Sequence, residues 1–329
     1  MTIEIIAEIA QGYEGKSTLA LMLAKAAVRS GADAVKFQLV YADELATKGY
    51  KYYDLFRSLQ MPYEEWKAVA DEIKAAGARL YLDVYGERSL QEAIDLGAHG
   101  VKIHTTDFFN NRLVRHALAV MPRVFISLGG ISVEELKEFI DINKISPGKQ
   151  ICFMYGYQAE PTPLEANNIL RLGALKKHFP GFHFGFMDHS DGGNEEAMTL
   201  ALMMLPFGIE CIEKHLSLDR VLQLEDYISA LPPEKFQAFA HKIRHYEKAL
   251  GTENLELTKQ EMEYRNKAMK VVVANIALKK GIVANLEALS LKRVANVSPL
   301  SFNRLEQVVG RTLVVDVKPE QQITQEMIS

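Results

Sequence analysis

Residues 183–219, HFGFMDHSDGGNEEAMTLALMMLPFGIECIEKHLSLD, hold two short apolar runs with a helical pattern between them. A histidine stands at the end of each run, His189 in the first and His215 in the second. Short apolar runs without alternation are typical of parallel strands that helices cover on the outside. The segment therefore predicts a strand–helix–strand unit that brings two histidines to neighbouring strand ends.

The same alternation of strand and helix patterns continues along the chain to about residue 250. Strand-like runs occupy residues 3–9, 34–39, 79–84, 100–104, 124–128, 150–155, 183–187 and 210–214. Helical patterns include residues 17–30, 63–76, 132–143, 164–177, 195–205 and 233–250. Eight strand–helix units in about 250 residues is the number that builds a (β/α)8 TIM barrel. We therefore expect an α/β barrel domain over residues 1–250.

Two local patterns at helix starts support this segmentation. Ser132 followed by Glu135 is the sequence of a capping box, and Pro233 suits the first turn of a helix. Gly15-Lys16-Ser17-Thr18, between a strand and a helix, invites a phosphate-loop interpretation. That motif needs a glycine five residues before Gly15, where Ala10 stands. We therefore reject a nucleotide hydrolase and expect Ser17 to be a helix N-cap.

The barrel pattern stops near Gly251, and a different composition follows. Residues 251–268 are polar and are expected to form a linker arm. Residues 269–329 have strand-like pieces at 270–274 and 312–315, turn-rich spacing and no long helical pattern. We expect a separate small domain there. A domain of about 60 residues has too thin a core to be very stable without a partner surface.

The composition is that of an ordinary globular protein, with 329 residues, 48% hydrophobic, 24% charged and a net charge of −4. This balance gives no sign of a nucleic-acid or membrane partner. The start, MTIEIIAEIA, carries Glu4 and Glu8 and no basic leader, so we expect a strand and not a signal peptide. Cys152 and Cys211 lie in apolar runs, which favours buried free thiols in a reducing compartment and a cytoplasmic location.

Polar side chains interrupt the predicted strands near their ends. They are Lys36 and Gln38 on the second strand, Lys102 and His104 on the fourth with Thr105 and Asp107 just beyond, and Ser127 on the fifth. A lysine inside a covered strand must reach an anion or open water, because burying it unpaired is costly. The lysines and hydroxyls therefore predict a cradle for a phosphate or carboxylate. The alternatives are lysines that extend to the rim, or a Schiff-base lysine.

The histidines could hold a metal or serve a hydrolytic or aldol reaction at the loop-bearing end of the barrel. Asp188 precedes His189, and Glu213 lies two positions before His215, so each acid is expected to orient an imidazole. The alternative is a pair of histidines whose hydrogen bonds are satisfied locally.

An ordered set of motifs resembles the N-acetylneuraminate (sialic acid) synthase family. The motifs are AEIAQGYEGKSTLALMLAKAAVRSGADAVKFQ (7–38), GVKIHTTDFFNN (100–111), VFISLGGIS (124–132), AEPTPLEANN (159–168), FMDHSDGG (186–193) and IEKHLSLDR (212–220). Residues 269–329, with LKKG and LSLKRVANVSP, resemble that family's C-terminal antifreeze-like (SAF) domain. The resemblance implies a reaction of phosphoenolpyruvate with the open-chain aldehyde of an N-acylated hexosamine, which gives a nonulosonic acid and phosphate.

The resemblance also implies roles for particular residues. His189 and His215 would hold a divalent metal, usually Mn²⁺, with Mg²⁺ or Co²⁺ as alternatives. Lys36, Lys102, Thr105 and Ser127 would bind phosphoenolpyruvate, while Glu8, Gln38, Asp107, Gln158 and Asp226 would face the sugar or the chemistry. Glu8 is the candidate for handling a proton. Arg293 would reach the sugar site of another subunit, which implies a domain-swapped homodimer.

Several positions depart from that family's pattern. Gly12-Tyr13 replaces Asn-His, Asp83-Val84-Tyr85-Gly86 replaces Ser-Thr-Pro-Phe, and Val294-Ala295 replaces Pro-Gly. Gln158, Glu160 and Met187 replace asparagine, tyrosine and serine. Since the histidines and lysines remain, we favour the same reaction on a different sugar. The alternatives are another metal-dependent barrel carboligase or aldolase, and a catalytically weakened sugar-binding relative.

Overall fold

The computed structural model of the chain describes residues 2–329; Met1, where the predicted barrel domain begins, lies outside this range. The chain divides after Gly251 into two compact units. In the first unit, eight parallel strands close into a barrel in chain order. They are β1 (Glu4–Ala10), β2 (Ala34–Gln38), β3 (Arg79–Val84), β4 (Gly100–Ile103), β5 (Val124–Ser127), β6 (Ile151–Tyr155), β7 (His183–Asp188) and β8 (Cys211–His215). The predicted (β/α)8 barrel is confirmed.

Helices cover the outside of the barrel, and the longer ones bury apolar residues on one face, whereas α3 has no fully buried residue. They are α1 (Ser17–Arg29), α2 (Ala42–Leu45), α3 (Tyr53–Ser58), α4 (Tyr63–Ala75), α5 (Glu87–Asp95), α6 (Asn111–Val120), α7 (Val133–Ile142), α8 (Ile169–His178) and α9 (Pro233–Tyr246). The buried residues of α4, Trp66, Val69, Ala70 and Ile73, show the spacing of a helix that is apolar on one side. None of the helices within residues 2–329 combines the length and apolar character that crossing a bilayer requires.

Two helix starts agree with the sequence patterns, and one does not. The Ser132–Glu135 capping box forms at α7, with the Glu135 amide donating to Ser132 Oγ at 3.1 Å. Pro233 begins α9 as predicted. Ser17 is not the N-cap of α1, because Lys16 holds that position without a side-chain hydrogen bond. The helix therefore begins at Ser17, one residue earlier than a cap at Ser17 would give.

Two predicted helices are interrupted. Residues 164–177 form a 3₁₀ turn over Leu164–Asn167 and then α8, because Asn168 adopts a left-handed conformation with φ 41°. Residues 195–205 form two 3₁₀ segments, Glu195–Met198 and Leu200–Phe207, in place of one α-helix. The break falls at Thr199, whose φ of −131° lies far from the α-helical value.

The barrel interior is built in layers, since alternate residues of each strand point inward. One layer is apolar and consists of Ile6, Ala34, Tyr81, Phe125, Cys152, Met154, Met187 and Cys211. Both cysteines are free and buried, as predicted. Two residues further along β1, β2, β3 and β8 stand Glu8, Lys36, Asp83 and Glu213. A charged layer therefore lies directly on the apolar one, toward the carboxyl ends of the strands.

The second unit has its own core of twelve buried apolar residues and an antiparallel pair of strands, β9 (Val271–Ala274) and β10 (Leu289–Lys292). Residues 312–315, predicted to be strand-like, contribute only isolated bridges from Thr312 and Leu313. The expected linker contains a helix, α10 (Lys259–Ala268), that begins with a Thr258–Glu261 capping box. The capping box was the sequence signal for this helix, and the prediction of a linker arm did not take it into account.

The apolar layer should tolerate no added volume at Gly185 on β7. A Cβ there would lie 2.6 Å from Met154 Sδ and closer still to Cys211 Sγ. Because an overpacked core distorts its neighbours, we expect Gly185→Ala to lower the free energy of unfolding by about 1–3 kcal/mol in chemical denaturation. Gly148→Ala is the control, since its Cβ would meet no atom of residues 2–329 within 4 Å. Equal stability of the two variants would contradict this packing.

Candidate active site

A cavity of about 260 Å³ opens at the carboxyl ends of the barrel strands. Its lining residues are Glu8, Gln38, Lys102, His104, Gln158, Glu160, His189, Glu213, His215 and Asp226. In TIM barrels this end carries the active site. A larger open groove of about 480 Å³ involves residues of α1 and α9 on the outside of the barrel, and it lacks such a convergence of ionisable groups within the described chain. The barrel cavity is therefore the candidate site.

The charged layer forms the floor of this cavity. Lys36 Nζ lies 2.7 Å from Asp83 Oδ1 and also pairs with Glu8, while Lys102 Nζ lies 2.7 Å from Glu213 Oε1. Each ammonium is within 4 Å of all three carboxylates. All five side chains are buried. The lysines thus reach anions, as their burial requires, but the anions belong to the protein.

Burial and the neighbouring charges shift the pKa values of the side chains in the charged layer in different directions. At Lys36 burial prevails over the attraction of Asp83 and lowers the pKa to about 8. At Lys102 burial also lowers the pKa, but the attraction of the Asp83 and Glu213 carboxylates outweighs it and raises the pKa above its ordinary value. Burial opposes ionisation of Glu213, but Lys102 and Lys36 lower its pKa to about 2. Lys102 and Glu213 therefore form a fully charged pair on the cavity floor.

The two histidines meet above this floor, with ring centroids 5.0 Å apart. His215 is the last residue of β8, and His189 follows β7. His189 Nδ1 and His215 Nε2 are buried, and neither finds a hydrogen-bond partner among residues 2–329. Burial lowers the pKa of His189 to about 3 and that of His215 well below its ordinary value. Both rings are therefore neutral, which is the form that binds metals.

Glu160 joins the histidines from the loop after β6. Its carboxylate and the two imidazoles place one ligand atom each within 4.8 Å of one another. Burial and a hydrogen bond with Asp226 raise the pKa of Glu160 to about 9. Two unpartnered imidazole nitrogens and a carboxyl group that resists ionisation suit a divalent cation, which would accept both lone pairs and stabilise the carboxylate. The donor set fits a metal.

The acids expected to orient the histidines do not do so. Asp188 Oδ1 accepts hydrogen bonds from Ser190 and from Lys214 Nζ, and Glu213 pairs with Lys102. Strand alternation explains both outcomes, because Met187 faces the interior and sends Asp188 outward, while Glu213 lies one layer below His215. The backbone positions His189 instead. Its carbonyl accepts hydrogen bonds from the Thr162 amide and from Ser229 Oγ, both at 2.9 Å.

A polar wall stands beside the cavity at the ends of β4 and β5. Thr105 Oγ1 lies 2.8 Å from Ser127 Oγ and 3.2 Å from Gln158 Oε1. Gln158 Nε2 in turn lies 3.8 Å from Met187 Sδ. Two hydroxyls and an amide, predicted from separate motifs, are thus close together.

The remaining predicted residues have different surroundings. Gln38 Oε1 accepts a hydrogen bond from Gln11 Nε2 at 2.7 Å and lines the cavity. Asp107 instead bonds Thr106 and Asn110 within its own turn and is absent from the lining of the described cavity. Arg293 belongs to the second unit, where its Nε donates to the Ala268 carbonyl at 3.0 Å and the side chain is exposed.

Three residues of the site were not among the predicted ones: Asp83, Glu160 and Glu213 as a lysine partner. The period of two along β3 and β8 could have placed Asp83 and Glu213 inside the barrel, as it placed Lys36 on β2. Glu160 lies in a loop, where the sequence shows no periodic signal. Only its departure from the family pattern drew attention to it.

His189 and His215 should control divalent-ion binding. We expect His189→Ala and His215→Ala each to reduce Mn²⁺ affinity at least about 100-fold in calorimetric titration, since each removes one of the ligands. His178→Ala, at an exposed position on α8, is the control and should bind Mn²⁺ like the unaltered chain. Circular dichroism would verify that all three variants fold. Undiminished Mn²⁺ affinity in both site variants would end the metal assignment.

The chain is similar to known proteins over most of its length. The NeuB family model matches residues 23–255. The pseudaminic acid synthase of Campylobacter jejuni subsp. jejuni serotype O:23/36 is 28% identical over 95% of this chain and 93% of its own. The human N-acetylneuraminate-9-phosphate synthase is 23% identical over 98% of this chain and 92% of its own length.

A solved structure agrees in fold. The N-acetylneuraminic acid synthetase of Leptospira borgpetersenii serovar Hardjo-bovis, in complex with citrate, superposes with a TM-score of 0.74 at 24% identity, covering 82% of this chain and 93% of that one. Because the family match extends over well more than half of the residues, the chain belongs to the NeuB family.

Proposed function

We propose that the chain condenses phosphoenolpyruvate with the open-chain aldehyde of an N-acylated amino sugar, giving a nonulosonic acid and phosphate. The observation that carries this proposal is the pair of unpartnered buried nitrogens, His189 Nδ1 and His215 Nε2, above a floor that contains Lys102, Glu8 and Glu213. The names of the related pseudaminic acid and N-acetylneuraminate-9-phosphate synthases support the class of product.

In this proposal His189, His215 and Glu160 hold a divalent cation, with Mn²⁺ preferred and Mg²⁺ or Co²⁺ as alternatives. The bound cation would supply Lewis-acid polarisation of the sugar aldehyde. Glu160 is a ligand that the sequence motifs did not indicate. Its position within 4.8 Å of both histidine donor atoms supports the assignment.

Phosphoenolpyruvate would be held by Lys102 and by the hydroxyls of Thr105 and Ser127, with Lys36 beneath. The two hydroxyls are 2.8 Å apart and come from neighbouring strand ends, so they can donate to two oxygens of one anion. This arrangement would fix the enol carbon against the aldehyde, which lowers the barrier by positioning the reactants.

The proposed reaction forms one carbon–carbon bond and breaks one bond to phosphate. The methylene carbon of phosphoenolpyruvate attacks the aldehyde carbon, and the aldehyde oxygen takes up a proton. Water adds to the central carbon, and phosphate departs as the ketone forms. Glu8 is the proposed base for that water, because its Oε1 accepts the Ala10 amide and its Oε2 pairs with Lys36, so both interactions favour the carboxylate.

The sugar would contact the outer part of the cavity, where Gln38, Gln158 and Asp226 can exchange hydrogen bonds with hydroxyl and amide groups. Asp107 and Arg293 are the further sugar-facing residues of the proposal. We propose that Arg293 of one subunit completes the site of another in a homodimer, since a guanidinium can bind a carbonyl or carboxylate in two-point fashion.

The direct test is phosphate release from phosphoenolpyruvate with Mn²⁺ and a panel of N-acylated hexosamines. We expect release with at least one sugar and none without sugar.

Lys102→Met should weaken phosphoenolpyruvate binding by roughly 2–5 kcal/mol, the range for removing one side of a buried charge pair. Lys25→Met, on the exposed part of α1, is the matched control.

Two results would separate the alternatives. Metal-dependent carbon–carbon bond formation with a different donor would indicate another carboligase or aldolase. Sugar binding without turnover of any donor would indicate a binding relative, and either result would refute the proposed reaction.

The role of Arg293 can be tested with mixed subunits. We expect Arg293→Ala chains and His215→Ala chains each to be nearly inactive alone. Mixing them should restore part of the activity, because one site of a mixed dimer would hold both intact residues. If mixed dimers form, as shown by differential tags, and activity stays absent, Arg293 does not act across subunits.

A further inference from the structure

The charged layer contains one more anion than cation. Glu8, Asp83 and Glu213 bring three negative charges and Lys36 and Lys102 two positive ones, and each of the five exposes 2% or less of its surface. A phosphorylated substrate that enters the cavity therefore meets lysines whose charge is already neutralised. An anion of several charges is poorly matched to a floor with this net charge.

Asp83 differs from the other two acids in its position. Glu8 and Glu213 line the cavity, whereas Asp83 and Lys36 are absent from the lining of the described cavity. Asp83 Oδ1 bonds Lys36 Nζ at 2.7 Å, and Oδ2 is 3.6 Å from Lys102 Nζ without accepting a hydrogen bond from the described chain. Asp83 thus contacts both lysines within the charged layer without lining the cavity.

The backbone fixes this contact. Strands β2 and β3 are hydrogen-bonded neighbours with Gln38 opposite Asp83, and β3 and β4 pair Asp83 with Lys102. Asp83 therefore stands between the two lysine-bearing strands, at the place where a ligand anion would need their charge.

We infer that Asp83 is an internal counterion that holds Lys36 out of the anion-binding floor and sets how tightly this site binds its anionic substrate. The identity of that substrate as phosphoenolpyruvate rests on the proposed function; the competition between Asp83 and an entering anion does not. A divalent cation at Glu160, His189 and His215 would offset the surplus negative charge. Binding of anion and cation to the unaltered chain is therefore coupled, and Asp83 contributes to that coupling.

The test is calorimetric binding of phosphoenolpyruvate and of inorganic phosphate to the full chain, with chelator and then with Mn²⁺. Asp83→Asn keeps the shape of the side chain and removes its charge. We expect this variant to bind both anions at least tenfold more tightly than the unaltered chain in chelator, and to gain less from Mn²⁺. Glu4→Gln is the matched control, because Glu4 is an acid of the same barrel that pairs with Arg79 and Tyr81 at the opposite end.

The double variant Asp83→Asn/Lys36→Met identifies the lysine and also tests folding, since it removes both members of the pair. Glu8, which also pairs with Lys36, keeps Lys102 at 3.9 Å. The double variant should fold and bind anions no more tightly than the unaltered chain. Unchanged or weaker anion binding by Asp83→Asn would overturn the inference, and so would a tenfold gain that persists in the double variant. If Asp83→Asn does not fold while the double variant does, thermal rescue of the single variant by phosphate is expected, and its absence would also overturn the inference.

These results are independent of the proposed reaction. Failure of the unaltered chain to release phosphate with any sugar would refute the reaction. A gain in anion affinity on loss of Asp83 would still establish the counterion.

Discussion

The burial of five charged side chains inside a closed barrel is the constraint on which the rest of the site depends. Each buried charge needs an opposite charge beside it, because an unpaired charge in the interior costs several kcal/mol. Lys36 and Lys102 are therefore surrounded by Glu8, Asp83 and Glu213 on three other strands. The closure of β8 onto β1 makes this possible, since it brings the first and last strands side by side.

This layer determines what the cavity above it can do. Apolar side chains seal one end of the barrel, so the charged layer is the innermost surface that a ligand can reach. Neutral imidazoles above a floor rich in carboxylates favour a cation, and Lys102 beside Thr105 and Ser127 favours an anion. The arrangement suits two ligands of opposite charge, as the proposed reaction of a phosphorylated donor with a polarised acceptor requires.

The differences between expectation and structure have physical reasons. Asp188 and Glu213 are near the histidines in sequence, but strand alternation and layering direct them to Lys214 and Lys102. Nearness in sequence was therefore a wrong guide to the hydrogen-bond partners of the histidines. The interrupted helices at Asn168 and Thr199 reflect backbone conformations that apolar periodicity does not register.

The sequence by itself determined the barrel, its strand positions, the placement of His189 and His215 at neighbouring strand ends and the inward direction of both lysines. These follow from periodicity, which is a local property of the chain. Only the tertiary structure decided which acids neutralise the lysines, and that Glu160 approaches the histidines. Lys36 and Asp83 are 47 positions apart, and Lys102 and Glu213 are 111 apart. Lys36 and Asp83 meet because β2 and β3 pair, and Lys102 and Glu213 meet because barrel closure brings distant strands together. No local pattern specifies which of several buried charges will meet.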